Sequence, residues 1–312
     1  MKIFNNTTIP KNYKGAAIAI GNFDGIHKGH QKVFQKTKKF ANKNKIKFGV
    51  MTFSPLPIIF FNKEIKNYRL VSENQKMQLF KKHGVDFIIN INFNKKFSKT
   101  KADDFVKNII FKKINPQLLS VSNNFKFGRN RKGDVSLLKK LGTKYKYRLL
   151  NITPFKYNGS IVSSTRIRKC LQNGKIHLAN NLLSRTWFID GPVQKGKRLG
   201  RKLGYRTCNI CIKNYIYPKT GIYIVKVRIR NEKKIYGGVA YLGSRPTFEG
   251  KEIFLEINIF GIKKNLYKKR LRVYFLKFIR GDQKFKNPAK LIKQMNKDVI
   301  FAKKGLKTKL AL

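Results

Sequence analysis

A short apolar run, Ala16-Ala17-Ile18-Ala19-Ile20, opens into three glycines spaced four apart (Gly21, Gly25, Gly29) and then into a helical pattern. The run has no polar alternation, as befits a strand buried on both faces of a parallel sheet. The pattern after it places Val33, Phe34, Thr37, Phe40 and Ala41 on one helical stripe. Strand, glycine-rich turn and helix form the unit of an open α/β sheet at which a phosphate meets backbone N–H groups and a helix N-terminus. His27 and His30 stand three apart in that turn. A helix beginning near them gives both imidazoles one face at its positive end, where they can donate to phosphate oxygens as charge builds on a leaving pyrophosphate. Gly29 is expected to let a nucleotide approach the backbone closely. Ordinary turn glycines and surface histidines would be written with the same letters, yet two of the chain's four histidines fall inside this turn.

The first half continues the alternation. Phe48 to Phe53 reads as a buried strand stopped by Pro55 and Pro57. Ser72 with Gln75 is a capping-box pattern opening a helix through Phe80, and Gly84 is placed to end it. Strand Ile88 to Phe93, a helix from Thr100 and strand Leu118 to Val121 follow, and then the basic loop Ser122 to Asp134. After strand Tyr147 to Ile152, Ser163, Ser164 and Thr165 read as a helix start with Arg168 one turn in. A hydroxyl-rich N-terminus with an arginine is a second anion site, although a plain N-cap is the commoner meaning. Strands and helices alternating in this way predict a doubly wound sheet with right-handed crossovers.

Near Ser184 the period changes. Val225, Val227 and Ile229 alternate with basic residues, and Ile253, Leu255, Ile257 and Ile259 alternate with Glu256 and Asn258. Strands of that kind predict an antiparallel barrel. Asn287-Pro288 opens a last helix with Leu291, Ile292, Met295 and Val299 as its expected buried side. Gly191 to Arg198 nearly fits a P-loop but lacks the Ser or Thr after lysine and a following helix.

Lys and Arg number 71 against 14 Asp and Glu, a formal net charge of +57. The lysines are spread over the whole chain beside abundant Asn, Ile, Phe and Tyr, residues that share A- and T-rich codons, so codon bias accounts for the charge. Such a surface binds nucleic acid non-specifically at low salt and draws phosphates into clefts. No run of eighteen apolar residues is present, and no membrane span is expected. The N-terminus has no apolar stretch of the secretory kind. Three cysteines, Cys170, Cys208 and Cys211, are too few for a disulfide framework, and a cytoplasmic location is expected.

Gly21-Asn22-Phe23-Asp24-Gly25-Ile26-His27-Lys28-Gly29-His30 resembles the G-x-F-D-G-x-H-x-G-H signature of the bacterial bifunctional riboflavin kinase/FAD synthetase family. Its H-x-G-H core is shared with other nucleotidyltransferases and with class I aminoacyl-tRNA synthetases. The loop from Ser122 is similar to the family's flavin and nucleotide segment, with Asn124, Phe127, Gly128, Arg131, Gly133 and Asp134 matching and Ser122 in place of glycine. Ser163 to Arg168 resembles I-S-S-T-x-x-R, and Leu183-Ser184-Arg185-Thr186-Trp187 resembles the inter-domain junction, with Ser184 and Thr186 departing. Gly191 to Asn209 resembles the riboflavin kinase segment, with Gly196, Gly200, Arg201, Gly204, Tyr205, Thr207 and Asn209 in place but Arg206 for proline and Cys208 for alanine. Gly243 to Phe248 and Arg280 to Phe285 are similar to segments flanking the flavin.

The resemblance implies a Rossmann-like nucleotidyltransferase domain over 1–183 and a riboflavin kinase barrel with a C-terminal helix over 184–312. It implies that ATP with Mg²⁺ phosphorylates riboflavin to FMN, Glu256 being the base and Thr207 and Asn209 holding the metal-nucleotide. It implies adenylylation of FMN by a second ATP, with Gly21, Phe23, Asp24, Gly29, Ser164, Thr165 and Arg168 on the nucleotide beside His27 and His30. Another nucleotidyltransferase would leave the barrel unexplained. An RNA-binding protein on a decayed enzyme scaffold is the alternative that Ser122, Ser184 and Arg206 keep open.

Overall fold

A computed structural model describes residues 1–194, 204–247, 250–262 and 264–307, the side chains of 245–247 and 250–252 excepted. The chain packs as two units, Met1–Lys66 with Glu73–Ser163, and Asn67–Ser72 with Ser164–Leu312. The change of sequence period near Ser184 and this division by packing mark different points, because helices Ser164–Gln172 and Ile176–Leu183 go with the second unit.

The first unit holds six parallel strands: β1 (Lys2–Phe4), β2 (Ala17–Ile20), β3 (Phe48–Ser54), β4 (Phe87–Asn92), β5 (Leu118–Ser122) and β6 (Arg148–Ile152), in the order β1-β4-β3-β2-β5-β6, followed by a separate short antiparallel pair, β7 (Lys156–Tyr157) and β8 (Ser160–Ile161). The predicted doubly wound sheet is therefore present. From β2 the chain order runs outward through β3 and β4 on one side and β5 and β6 on the other, with β1 added outside β4, so β2 beside β5 is the switch point, where crevices form at the carboxyl ends of strands. Every residue of β2 is buried, which is why its sequence is unbroken apolar. The helices are α1 (Lys28–Lys43), the short α2 (Pro57–Phe61), α3 (Glu73–Lys82), the short α4 (Lys95–Ser98), α5 (Ala102–Asp104) and α6 (Val135–Lys144). The helix expected from Thr100 instead runs on from α5 as a π-helix over Phe105–Ile114 and ends on Asn115 in the left-handed region, whose N–H bonds the Ile110 carbonyl at 2.7 Å. Phe105 and Ile110, like Ile109 and Ile114, stand five apart and all four are buried. The same buried set also contains three- and four-residue spacings, so the apolar pattern itself does not distinguish the two helix types.

In the second unit α7 (Ser164–Gln172) and α8 (Ile176–Leu183) precede a closed barrel of β9 (Phe188–Gln194), β10 (Thr207–Cys211), β11 (Gly221–Ile229), β12 (Ile235–Thr247), β13 (Gly250–Ile259) and β14 (Arg270–Arg280). Its order is β10-β13-β12-β11-β14-β9 with β9 returning to β10, every pair antiparallel. The alternating sequence fits this wall: Val225, Val227 and Ile229 are buried, as are Leu255, Ile257 and Ile259. The last helix, α9 (Pro288–Lys307), departs from expectation. Leu291, Ile292, Met295 and Val299 are half-buried, and the fully buried positions are Asp298 and Ala302. Asp298 is buried because Arg280 grips it through Nε and Nη2 at 2.7–3.1 Å, with Gln294 donating at 3.0 Å. A charge-assisted fork of this kind holds a helix that an apolar stripe alone would leave loosely fixed.

Candidate functional site

The turn after β2 is held in a costly shape. Phe23 and Ile26 have φ of +48° and +42°, the left-handed region that bulky side chains avoid at about 1–2 kcal/mol each. Burial offsets this: Ile26 is fully buried, and the Phe23 ring packs on Phe34 and Phe80 and meets His30 edge-on at 5.2 Å. Backbone groups of the turn are tied from behind. Lys76, itself buried, donates to Thr52 Oγ1 at 2.7 Å, and that hydroxyl donates to the Asn22 carbonyl at 3.3 Å. Gln31 donates to the Ile26 carbonyl at 2.9 Å. Asp24 is buried within the turn.

His27 is the N-cap of α1, its Nδ1 accepting from the His30 N–H at 3.4 Å. A ring that accepts at Nδ1 keeps its proton on Nε2, so the cap sets the tautomer that donates. The His27 and His30 rings lie face to face, 3.7 Å between centroids and 19° between planes. Both imidazoles thus sit together at the positive end of a 16-residue helix, as their spacing predicts. Gly29 has a reason beyond nucleotide approach: a Cβ there would stand 3.1 Å from the His27 ring and 3.4 Å from the Val162 carbonyl.

The loop after β5 leaves the strand next to β2, so it rises beside this turn. Ser122, where the related signature has glycine, donates to Asn124 Oδ1 at 2.8 Å and orients that amide. Phe127 is buried against Phe105, and Phe125 stacks on its outer face at 5.7 Å. Phe127 and Gly133 exchange two backbone hydrogen bonds of 3.0 Å, closing the intervening residues into a protruding turn that displays exposed Arg131. Gly128 at φ +71° has no room for a side chain, since a Cβ would lie 2.7–2.9 Å from Ala102. Asp134 caps α6, accepting from the Leu137 N–H at 3.1 Å, and that bond first and Lys126 second hold its carboxyl below the ordinary range.

Ser164 opens α7 and Thr165 is exposed in its first turn, both in the second unit. Arg168 is buried: its Nε donates to the Tyr68 carbonyl at 2.8 Å and its guanidinium lies 3.6 Å over the Tyr68 ring.

On the barrel, Asn209 of β10 stands directly opposite Glu256 of β13, and Thr207 opposite Asn258. Alternation puts all four side chains on one face. The Thr207 hydroxyl donates to Glu256 Oε1, so the carboxylate read from an alternating strand and the hydroxyl read from a glycine-rich segment meet. The Arg206 carbonyl accepts from Asn258 Nδ2 at 2.9 Å, a bond that restrains the backbone where the related segment has proline. Gly204 takes φ +82° ahead of Tyr205, whose hydroxyl bonds Asn296 of α9. Gly196, Gly200, Arg201 and Phe248 lie outside the described residues.

Tyr241 of β12 faces Glu256 across the other side of β13 and donates to Asp282; burial first, then Asp282, pushes its hydroxyl up to about 12. Tyr241, on β12, carries no comparable signal in the sequence, whereas Asn258 shares the polar side of the alternation that located Glu256. A cavity of about 370 Å³ opens beside Thr207, walled by Val193, Ile257, Ile259 and Leu266 with Arg206 and Tyr267 at polar positions. Cys208 borders it, its thiol pushed up to about 12 by burial and then by Glu256, with Sγ donating to the Ile257 carbonyl at 3.6 Å. A thiol so raised is a poor nucleophile. Iodoacetamide at pH 8 is therefore expected to leave Cys208 unmodified in the folded protein, and peptide mass spectrometry showing rapid alkylation there would refute this burial.

Two stacked imidazoles at a helix N-terminus in one unit and a hydroxyl–carboxylate pair beside a cavity in the other are two separate polar sites in one chain, an arrangement that fits a transferase with two activities. The FAD synthetase family matches residues 9–166 and the riboflavin kinase family residues 183–306. The bifunctional riboflavin kinase/FMN adenylyltransferase of Buchnera aphidicola from Schizaphis graminum is 37% identical over 292 residues, covering 93% of both chains. The protein of that name from Escherichia coli K12 is 32% identical over 290 residues, covering 93% of this chain and 92% of its own. A crystal structure described as a macrolide-efflux protein from Streptococcus pneumoniae superposes with a TM-score of 0.84 at 27% identity, covering 96% of this chain and 98% of its own. Among the described residues no helix is long and apolar enough to cross a membrane. The chain belongs to the bifunctional riboflavin kinase/FMN adenylyltransferase family.

Proposed function

We propose that the barrel phosphorylates riboflavin through Glu256 and that the parallel-sheet unit, with the start of α7, adenylylates the resulting FMN. The observation that supports this reading most is the meeting of Thr207, Asn209 and Glu256 on one barrel face beside the cavity. Glu256 takes the proton of the ribityl 5′-hydroxyl as that oxygen attacks the γ-phosphorus of ATP; the new O–P bond forms FMN, and ADP leaves. Apolar walls at Val193, Ile257 and Leu266 suit a nucleotide base, with Thr207 at the phosphate end. Glycines 196, 200 and 204 with Arg201 are assigned to the ATP phosphates of this reaction.

The Thr207 hydroxyl and the Asn209 amide oxygen, side by side on one barrel face, are hard oxygen donors, which fits Mg²⁺ arriving with ATP and leaves Glu256 free to act as the base. When bound there the ion neutralises phosphate charge.

In the second reaction an FMN phosphate oxygen attacks the α-phosphorus of ATP, forming FAD and releasing pyrophosphate. The Nε2–H of His27, with His30, Ser164, Thr165 and Arg168, positions the phosphates and offsets charge, and no protein nucleophile is required. Gly21, Phe23, Asp24 and Gly29 shape the turn for that nucleotide, and Asn124, Phe127 and Arg131 belong to the loop that meets flavin and nucleotide. We assign adenylylation to 1–183 and phosphorylation to 184–312, and place the protein in the reducing cytoplasm, where buried thiols at Cys170 and Cys208 persist. Its positive surface binds nucleic acid only non-specifically, an association that salt removes.

Riboflavin, ATP and Mg²⁺ incubated with the protein are expected to give FMN and then FAD on chromatography. FMN alone would remove the adenylylation assignment. FAD formed only from added FMN would remove the kinase assignment, and neither product with tight binding of RNA would leave the scaffold as a binder.

A further inference from the structure

Residues 67–72 lie far from the barrel in sequence yet pack with it. The Arg69 N–H bonds the Asn214 carbonyl at 3.1 Å, the Ile216 N–H bonds the Arg69 carbonyl at 2.8 Å, and the Asn214 N–H bonds Asn67 Oδ1 at 3.1 Å. One residue further on, Trp187 Nε1 donates to the Leu70 carbonyl at 2.8 Å, and both Trp187 and Leu70 are buried. Tyr68 sits between these anchors. It holds Arg168 at two points, the carbonyl on Nε at 2.8 Å and the ring face 3.6 Å under the guanidinium.

An arginine side chain loses much of its rotamer entropy when it grips an anion. A guanidinium already fixed in plane by a bond at Nε and a π face has surrendered much of that freedom beforehand, and so binds with less further cost. The stack also desolvates one face of the cation, which strengthens its remaining electrostatic contacts.

We propose that Tyr68 is a positioning residue for Arg168, holding the guanidinium plane in which it meets the ATP phosphates during adenylyl transfer. The proposal rests on the assignment of Arg168 to those phosphates. Tyr68 touches no substrate in this account and acts only through the arginine.

Tyr68→Leu removes the stack and keeps the backbone carbonyl. It is expected to raise the ATP KM of FAD formation from FMN about 3- to 10-fold, the size of a single cation–π contact at a partly desolvated site, with kcat within about twofold. Tyr68→Phe keeps the ring and is expected to restore the parental KM. FMN formation from riboflavin in the same preparations should be unchanged. Should the leucine variant fail to fold, Tyr68→Gln, without a π face, takes its place. If Arg168→Ala raises the ATP KM while Tyr68→Leu leaves it within about twofold, the positioning role is overturned and the arginine assignment stands. If Tyr68→Leu lowers both activities together with Tm, the residue is merely structural. If Arg168→Ala leaves adenylyl transfer intact, the arginine assignment fails and the Tyr68 proposal with it.

Discussion

Glu256→Gln is expected to lower the rate of FMN formation from riboflavin by about 10²- to 10⁴-fold, the usual worth of a positioned general base, while FAD formation from supplied FMN is unchanged. The substitution isolates the charge. Glutamine keeps the length and a carbonyl oxygen that can still accept from the Thr207 hydroxyl, so the cross-strand arrangement with Asn209 and Thr207 survives. What disappears is the oxygen able to take a proton. Thr207→Val is the complementary variant. It leaves the carboxylate in place, removes the hydroxyl that orients it, and should raise the ATP KM as well as lower kcat. A Glu256→Gln protein with parental kinase turnover would remove the residue from the mechanism.

How much of this was open to reading from the residues differs by element, and the reasons are physical. Strand β2 was legible because burial on both faces demands an unbroken apolar run. The Glu256 face was legible because β13 alternates with period two, which fixes sides without any knowledge of partners. Pairing was not. Nothing in the spacing of Thr207 and Glu256 says that β10 and β13 are neighbours in the barrel. The π-helix over Phe105–Ile114 reads in sequence as an ordinary helix because its buried Phe105, Val106, Ile109 and Ile110 stand at three- and four-residue spacings that an α-helix buries as well. Asp298 and Lys76 were invisible as buried residues, since charge predicts exposure unless a partner is known, and their partners Arg280 and Thr52 lie 18 and 24 positions away. Phe23 and Ile26 at positive φ run against every local preference. The aromatic packing around Phe34 and Phe80 and the bonds from Thr52 and Gln31 help hold that turn. The departures Ser122 and Arg206 looked like losses in sequence, yet each has a local replacement, Ser122 through its bond to Asn124 and Arg206 through the bond from Asn258.

The strained turn also decides how the two histidines must be tested. His27 has two jobs that an alanine would confuse. Its Nδ1 caps α1, and loss of a cap costs about 1 kcal/mol of stability whatever the chemistry. His27→Asn separates the two, because an asparagine side chain also accepts from the N–H three residues on but has no Nε2 donor. This variant is expected to melt within about 2 °C of the parent and to make FAD from FMN about 10²- to 10³-fold more slowly, the range for one donor lost from developing phosphate charge. His30 does not cap the helix with its ring, so His30→Ala is expected to give a similar rate loss with the His27 cap bond intact. The rings lie 3.7 Å apart and serve one charge cluster, so the losses should not add; the double variant should fall well short of the product of the single ones. FMN formation from riboflavin serves as the internal control in all three proteins. His30→Ala retaining FAD synthesis within about threefold of the parent would take the imidazoles out of the reaction and leave them as the cap and packing of α1.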